Sequence, residues 1–268
     1  MARQTGHIKY KGTLGEVRHF KIKGLNGDYA GLKGGASGDQ IKNDPKFVRT
    51  RENMNEFAGC ALVGKSLRNG LSQILKQMSD PQVTGRLTGI MKKINLEDQT
   101  EARGYRAILV STQSQYLLGF NFNRNISLDG LFLGSLETVA NEDRNEVTLN
   151  VEPFNTAMNV VAPAGATHFR FVNAISVLSD FVYNSTTKIY EPIEPILNEV
   201  SKIVYSDYLE IGSTVEAPVS VVSALPGTPT MTENVSLISS VGIEFYQKVG
   251  PNYYVFNESN SLKVKNIF

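Results

Sequence analysis

Helical periodicity is sustained in one part of this chain, between Asp44 and about Asn95, and turn residues break everything after Asp98 into short β-type runs. A chain without alternating βα units does not build a doubly wound parallel sheet. The expected fold class is therefore α+β, with an N-terminal basic β-hairpin arm, central short α-helices and a C-terminal antiparallel β-sandwich region or regions. The expected organisation is a hairpin arm and Gly-rich tether over residues 1–43, a helical segment over 44–100 and a β-rich domain over 101–195. Residues 196–268 form either a second β-rich domain or the other half of the same sandwich.

The helical stretch has clear punctuation. Asp44 is placed to cap the first helix, with Pro45 at the position where its missing N–H costs nothing. Phe47, Met54, Phe57, Ala58 and Ala61 form a first apolar stripe, and Leu67, Leu71, Ile74, Leu75 and Met78 a second. Between them Ala58, Gly59, Ala61 and Gly64 make a small-residue patch, where the helix bends or another backbone comes close. Asp80-Pro81 repeats the entry signal, and Leu87, Ile90, Met91 and Ile94 predict a third amphipathic helix.

Within the first helix, Gly59-Cys60-Ala61-Leu62-Val63-Gly64-Lys65-Ser66 matches the P-loop spacing G-x-x-x-x-G-K-[ST]. A working P-loop follows a buried strand, so that loop N–H groups and a helix N-terminus converge on the phosphates. Here Met54-Asn55-Glu56-Phe57-Ala58 precedes it, the end of a capped helix; of the runs that could supply a magnesium-binding carboxylate, Tyr105 to Val110 ends in Ser111-Thr112, and Ser176-Val177-Leu178-Ser179-Asp180 sits in an antiparallel-looking β region. The motif is read as helix, and no nucleotide is expected.

Other chemistry is equally sparse. One cysteine (Cys60) and three scattered histidines (His7, His19, His168) give neither a disulfide framework nor a zinc spacing. No nucleophile elbow or metalloprotease signature occurs. No enzymatic activity, cofactor or metal is expected. The N-terminus lacks an apolar h-region and no stretch is long and apolar enough to span a bilayer, which predicts cytoplasmic synthesis and no membrane span.

Residues 7–23 alternate around Gly12-Thr13-Leu14-Gly15, which predicts a hairpin. Ile8, Tyr10, Phe20 and Ile22 would share its apolar face, and Lys9, Lys11, His19, Lys21 and Lys23 its basic face. An isolated hairpin is marginal in water, so that apolar face needs a cover. Residues 25–38 read as a Gly-rich tether with a short Tyr29-Ala30-Gly31-Leu32 insert. Beyond the helices, β-type runs are expected at 105–111, 116–123, 147–151, 167–172, 181–183, 188–190, 203–211, 215–222, 235–247, 253–256 and 262–267.

Net charge of +1 hides an asymmetry: residues 1–93 hold 17 Lys+Arg against 7 Asp+Glu, and residues 94–268 hold 10 against 19. Three readings follow: a basic part of one subunit docking on an acidic part of the next, a nucleic-acid-binding arm, or solvated faces of unlike composition. The residues expected to touch a partner are Lys9, Lys11, Lys21, Lys23, Arg49, Arg51, Lys65 and Arg68.

The opening residues MARQTGHIKYKGTLGEVRHFKIKG, with Asp44-Pro45, Phe47, Arg49-Thr50-Arg51-Glu52-Asn53 and Glu56-Phe57, resemble the N-terminal signature of a widespread, uncharacterised protein family of Bacteroidetes bacteria over about residues 1–71. The resemblance implies a bacterial origin and a basic N-terminal module joined to a more individual β region, and it carries no functional residues across. The functional expectation is a non-enzymatic structural protein that assembles with itself into a filament, tube or shell. The alternatives are nucleic-acid binding through the basic region, and a β-sandwich module that binds a ligand or protein through loops such as Leu225 to Thr232.

Overall fold

Two glycine-containing turns set the architecture of the first forty residues in a computed structural model that describes residues 1–268. The chain divides into two compact units, Met1–Arg51 and Glu52–Phe268. In the first, β1 (Ala2–Arg3), β2 (Gly12–Leu14), β3 (Val17–Phe20) and β4 (Tyr29–Leu32) form one antiparallel sheet in the order β1-β4-β3-β2. The hairpin turns later than its sequence predicts, because Leu14 pairs with Val17 and leaves Gly15-Glu16 as a two-residue loop. Gly15 takes φ +58°, which favours glycine at the first loop position. Residues 6–11 and 21–23 consequently lie outside the strands, and the expected tether insert Tyr29–Leu32 is a strand that pairs on both sides. The helix α1 (Gly38–Asn43) starts with a capping box between Ser37 and Gln40. Asp44 then accepts from the Lys46 N–H, and a 3-10 turn over Pro45–Phe47 leads into α2 (Val48–Gly70).

In the second unit α2 is followed by α3 (Ser72–Met78) and α4 (Val83–Glu97). The first apolar stripe does not face the core: Met54 is 58% exposed and Phe57 60%. The buried face is instead Glu56, Gly59, Cys60, Val63, Gly64, Leu67 and Gly70. Close approach explains the inversion. A Cβ on Gly59 would lie 2.5 Å from the Tyr190 ring, one on Gly64 would touch Leu87 of α4 at 3.4 Å, and one on Gly70 would collide with Ser176. The small-residue patch is thus the packing seam of α2. The second stripe, from Leu67 to Met78, is buried as expected.

The centre is a pair of long strands, β8 (His168–Ser179) and β15 (Val235–Val249), in unbroken antiparallel register from His168–Tyr246 to Ser179–Val235. β11 (Ser201–Tyr205) and β12 (Leu209–Glu210) extend the sheet beyond β8, while β16 (Asn252–Val255) and β17 (Ser261–Ile267) extend it beyond β15. Strands from both sides of Pro192 and Pro195 therefore share one six-stranded sheet. Alternation gives it two apolar faces. Val172, Ala174, Leu178 and Ile238 meet the helices, whereas Phe169, Phe171, Val241, Ile243 and Phe245 join a second core.

That second core is covered by β5 (Glu137–Ala140), β6 (Glu146–Val151) and β14 (Val219–Ala224), a sheet in the order β14-β6-β5. β7 (Phe154–Asn155) pairs with β13 (Thr214–Val215), and the short helices α5 (Leu128–Leu131) and α6 (Thr156–Asn159) complete this side. β9 (Phe181–Asn184) and β10 (Ile189–Pro192) form the expected hairpin. The result is a helix–sheet–sheet layering. Two expected runs do not become strands: residues 105–111 hold only an Ile108–Phe181 bridge, and residues 116–123 a 3-10 turn (Ser114–Tyr116) and an Asn121–Lys263 bridge.

The seam makes a prediction about glycines in two adjacent helices. Gly59→Ala should lower stability by about 1–3 kcal/mol through overpacking, and so lower the thermal midpoint. Gly85→Ala, on the open face of α4 with nothing within 4 Å, should raise stability by roughly 0.4–1 kcal/mol. Thermal melts in which both shift the same way contradict this packing.

Candidate functional site

The four-stranded sheet of the first unit has no interior. Every residue from Met1 to Arg51 is exposed or half-buried. Leu14, Val17 and Leu32 line up across three strands on one face, with Leu14 67% and Leu32 80% exposed. On the other face the Arg18 guanidinium sits 4.7 Å over the Phe20 ring, which stacks on Tyr29 at 6.4 Å. The Gln4 side chain anchors the irregular segment before β2: its Oε1 accepts from the Tyr10 N–H (3.0 Å) and its Nε2 donates to the Tyr29 carbonyl (3.2 Å). The unit carries eleven Lys+Arg against four Asp+Glu, a net charge of +7, and the second unit carries −6.

Of the residues expected to meet a partner, Lys9 and Lys21 converge on Asp28, at 3.9 and 3.8 Å. Lys11 and Lys23 are exposed, as is Arg49 at the start of α2. Arg51 has a structural duty, donating to the Ile41 (2.7 Å) and Asp44 (3.0 Å) carbonyls at the end of α1. Lys65 and Arg68 lie in the second unit one turn apart on α2, Lys65 exposed and Arg68 half-buried. The Gly59–Ser66 segment is uninterrupted α-helix, so its N–H groups are directed along the helix rather than into an anion cradle. Ser66 accepts from the Asn198 side chain at 3.1 Å.

Buried acids in the second unit are all engaged by fixed partners. Burial opposes ionisation of Glu56, but Lys92, the Gly104 N–H (2.7 Å) and Arg106 outweigh it and hold the carboxyl below its ordinary 4.5. Burial likewise loses at Asp80, which accepts from Arg124 N, Gln82 N and Arg86, and at Asp98, bonded to Thr100 and to the Ala107 N–H. Both carboxyls lie below 3.8. At Asp180 burial wins over its bonds to Ser111 and raises the pKa. Arg170 is enclosed by the rings of Tyr205 (4.2 Å), Tyr208 (4.6 Å) and Tyr246 (4.8 Å), with Glu244 3.4 Å away.

The same side chains explain why residues 104–111 are not a strand. Glu56 takes the Gly104 N–H, Asp98 the Ala107 N–H and Asp180 the Ser111 N–H, while Asn95 and Tyr190 donate to the Arg106 carbonyl. These bonds replace a ladder. The Cys60 thiol is pushed up to about 12 by burial. No group of three or more His, Cys, Asp or Glu is placed to hold a metal ion, and no helix is long and apolar enough to cross a membrane. A cleft of about 440 Å³ beside the Tyr105–Tyr183 ring pair has Glu101 and Lys188 as its charged lining.

One feature escaped the sequence reading. Leu133, Met158 and Val161 are exposed large apolar residues on the three-stranded side of the second unit. Their runs, LFLGSL and MNVVAP, read like any short apolar segment, and only tertiary placement separates exposed from core members. No protein family, curated protein or solved structure matches the chain.

The carboxylate networks predict acid sensitivity. Glu56, Asp80 and Asp98 have folded pKa values below their unfolded ones, so their stabilisation is full above the ordinary 3.8–4.5 range and is lost as pH falls through the lowered values. Asp180, whose pKa burial raises, acts in the opposite sense. Glu56→Gln should lose about 1–3 kcal/mol at neutral pH and show a shallower loss of thermal midpoint below about pH 5. An unchanged acid limb in melts across pH contradicts the assignment.

Proposed function

We propose that the protein is a non-enzymatic structural subunit that assembles with itself, the basic N-terminal unit of one copy packing on the acidic β region of another. One observation carries this reading: a four-stranded sheet with no buried residue and a Leu14–Val17–Leu32 row whose two leucines are exposed, in a unit of opposite charge to the rest of its chain. Fifty-odd residues without a core are marginal alone, and a partner supplies the missing cover. Because donor and acceptor are different surfaces, the contact is heterologous and propagates into rings, tubes, filaments or shells rather than closing as a two-fold dimer.

The experiment is light scattering after size exclusion, with negative-stain microscopy, from about 50 mM to about 1 M salt. Assemblies at low salt that shrink as salt screens the contact are expected. Replacing Lys9, Lys11, Lys21 and Lys23 together by Glu should weaken assembly at least about tenfold with an unchanged melt of the second unit. A monomer throughout contradicts the proposal.

A second reading rests on the Arg18–Phe20–Tyr29 face, where an exposed cation lies over the first of two half-buried aromatic rings as in surfaces that stack bases. Lys9, Lys11, Lys21, Lys23, Arg49 and Arg51 would then meet phosphates. Anisotropy with single-stranded oligonucleotides would show affinity falling steeply with salt; no binding at low salt removes this reading.

A further inference from the structure

The charge of the second unit is sorted by layer. Residues 125–166 and 211–234, which build the side carrying β5, β6, β7, β13 and β14, hold eight carboxylates against Arg144 alone. Arg144 is itself committed to the Thr232 (2.7 Å) and Val235 (3.4 Å) carbonyls. Residues 52–124, which build the helical side, hold nine Lys+Arg against six Asp+Glu. The six-stranded sheet therefore separates a mildly basic layer from a strongly acidic one.

Within the acidic layer lies an apolar strip. A Phe132–Val160 bridge, with Leu133 N donating to Asn159 O and Val161 N to Leu131 O at 2.8 Å each, brings two short segments together. Leu133 (60% exposed), Val161 (52%) and the neighbouring Met158 (76%) project to solvent from them, while Phe132 beneath is buried against Phe154 at 5.0 Å. Phe154 pairs with Val215, and the adjoining Glu152 and Glu216 are both exposed. An apolar centre with a carboxylate rim is the chemical complement of the Leu14–Val17–Leu32 row, which the exposed Lys33 follows directly in a unit of net charge +7.

We propose that the Leu133–Met158–Val161 strip, with Glu152 and Glu216 at its rim, is the acceptor for the N-terminal sheet of a second copy. This rests on the self-assembly reading and assigns its second surface. The N-terminal sheet and the strip are different surfaces, so the contact is heterologous and repeats from copy to copy.

The test uses the full chain and light scattering at near-physiological salt. Met158→Lys, at an exposed position, and the pair Glu152→Lys/Glu216→Lys should each weaken assembly at least about tenfold with unchanged circular dichroism and melting. Adding Lys33→Glu to the Glu152→Lys/Glu216→Lys variant should raise assembly again, because charge is exchanged across the contact rather than removed. Strip variants that assemble like wild type, or a charge exchange that restores nothing, overturn the acceptor. If Leu14→Asp/Leu32→Asp is monomeric while the strip variants assemble, the self-assembly reading stands and only the acceptor falls. A monomeric wild type under all conditions removes both.

Discussion

The antiparallel pairing of β8 with β15 is the interaction on which the second unit depends, because each strand is long enough to serve two cores at once. Alternate side chains feed the helices on one face and the three-stranded sheet on the other. The helices α2–α4 close one core and the short strands and helices of the three-stranded side close the other, and both pack on this pair. The pairing also sorts charge: helices rich in Lys and Arg are confined to one face, and the carboxylate-rich loops and strands to the other. Within the second unit, a charge difference spread along the sequence becomes one spread across the sheet.

Legibility in the sequence follows from whether a signal is local. The Asp44-Pro45 entry, the buried second stripe, the β9–β10 hairpin and the Gly250-Pro251 turn between β15 and β16 were readable, because capping, periodicity and turn chemistry act over a few residues. The orientation of α2 was not. Met54 and Phe57 have the apolarity of core residues, yet the helix turns its glycines inward because Tyr190, Leu87 and Ser176, distant in sequence, need room there. Residues 105–111 depart from strand for a related reason: the Glu56, Asp98 and Asp180 carboxylates, the Asn95 amide and the Tyr190 hydroxyl satisfy their backbone and displace the ladder that their β-type composition predicts.

The candidate site was legible as a charge pattern and not as a geometry. Counting Lys and Arg located a basic N-terminal part, but the turn at Gly15-Glu16 moved Lys9, Lys11, Lys21 and Lys23 out of the strands. The regular apolar row is Leu14–Val17–Leu32, from three strands, one of which reads as a tether in sequence. Arg51 shows the limit of counting charges, since its guanidinium closes the α1 turn. The P-loop spelling makes the same point: glycines that suit a phosphate loop equally suit a helix seam, and only the backbone distinguishes them.

The account turns on one physical claim, that the N-terminal sheet obtains its cover from another copy. Amide hydrogen exchange of β3 and β4 as a function of protein concentration tests this most directly, because a sheet without a core opens easily unless it is covered. Protection at Val17–Phe20 and Tyr29–Leu32 should rise with concentration while that of β8 and β15 stays constant. Protection in β3 and β4 that is independent of concentration, in a protein that remains monomeric, contradicts the account.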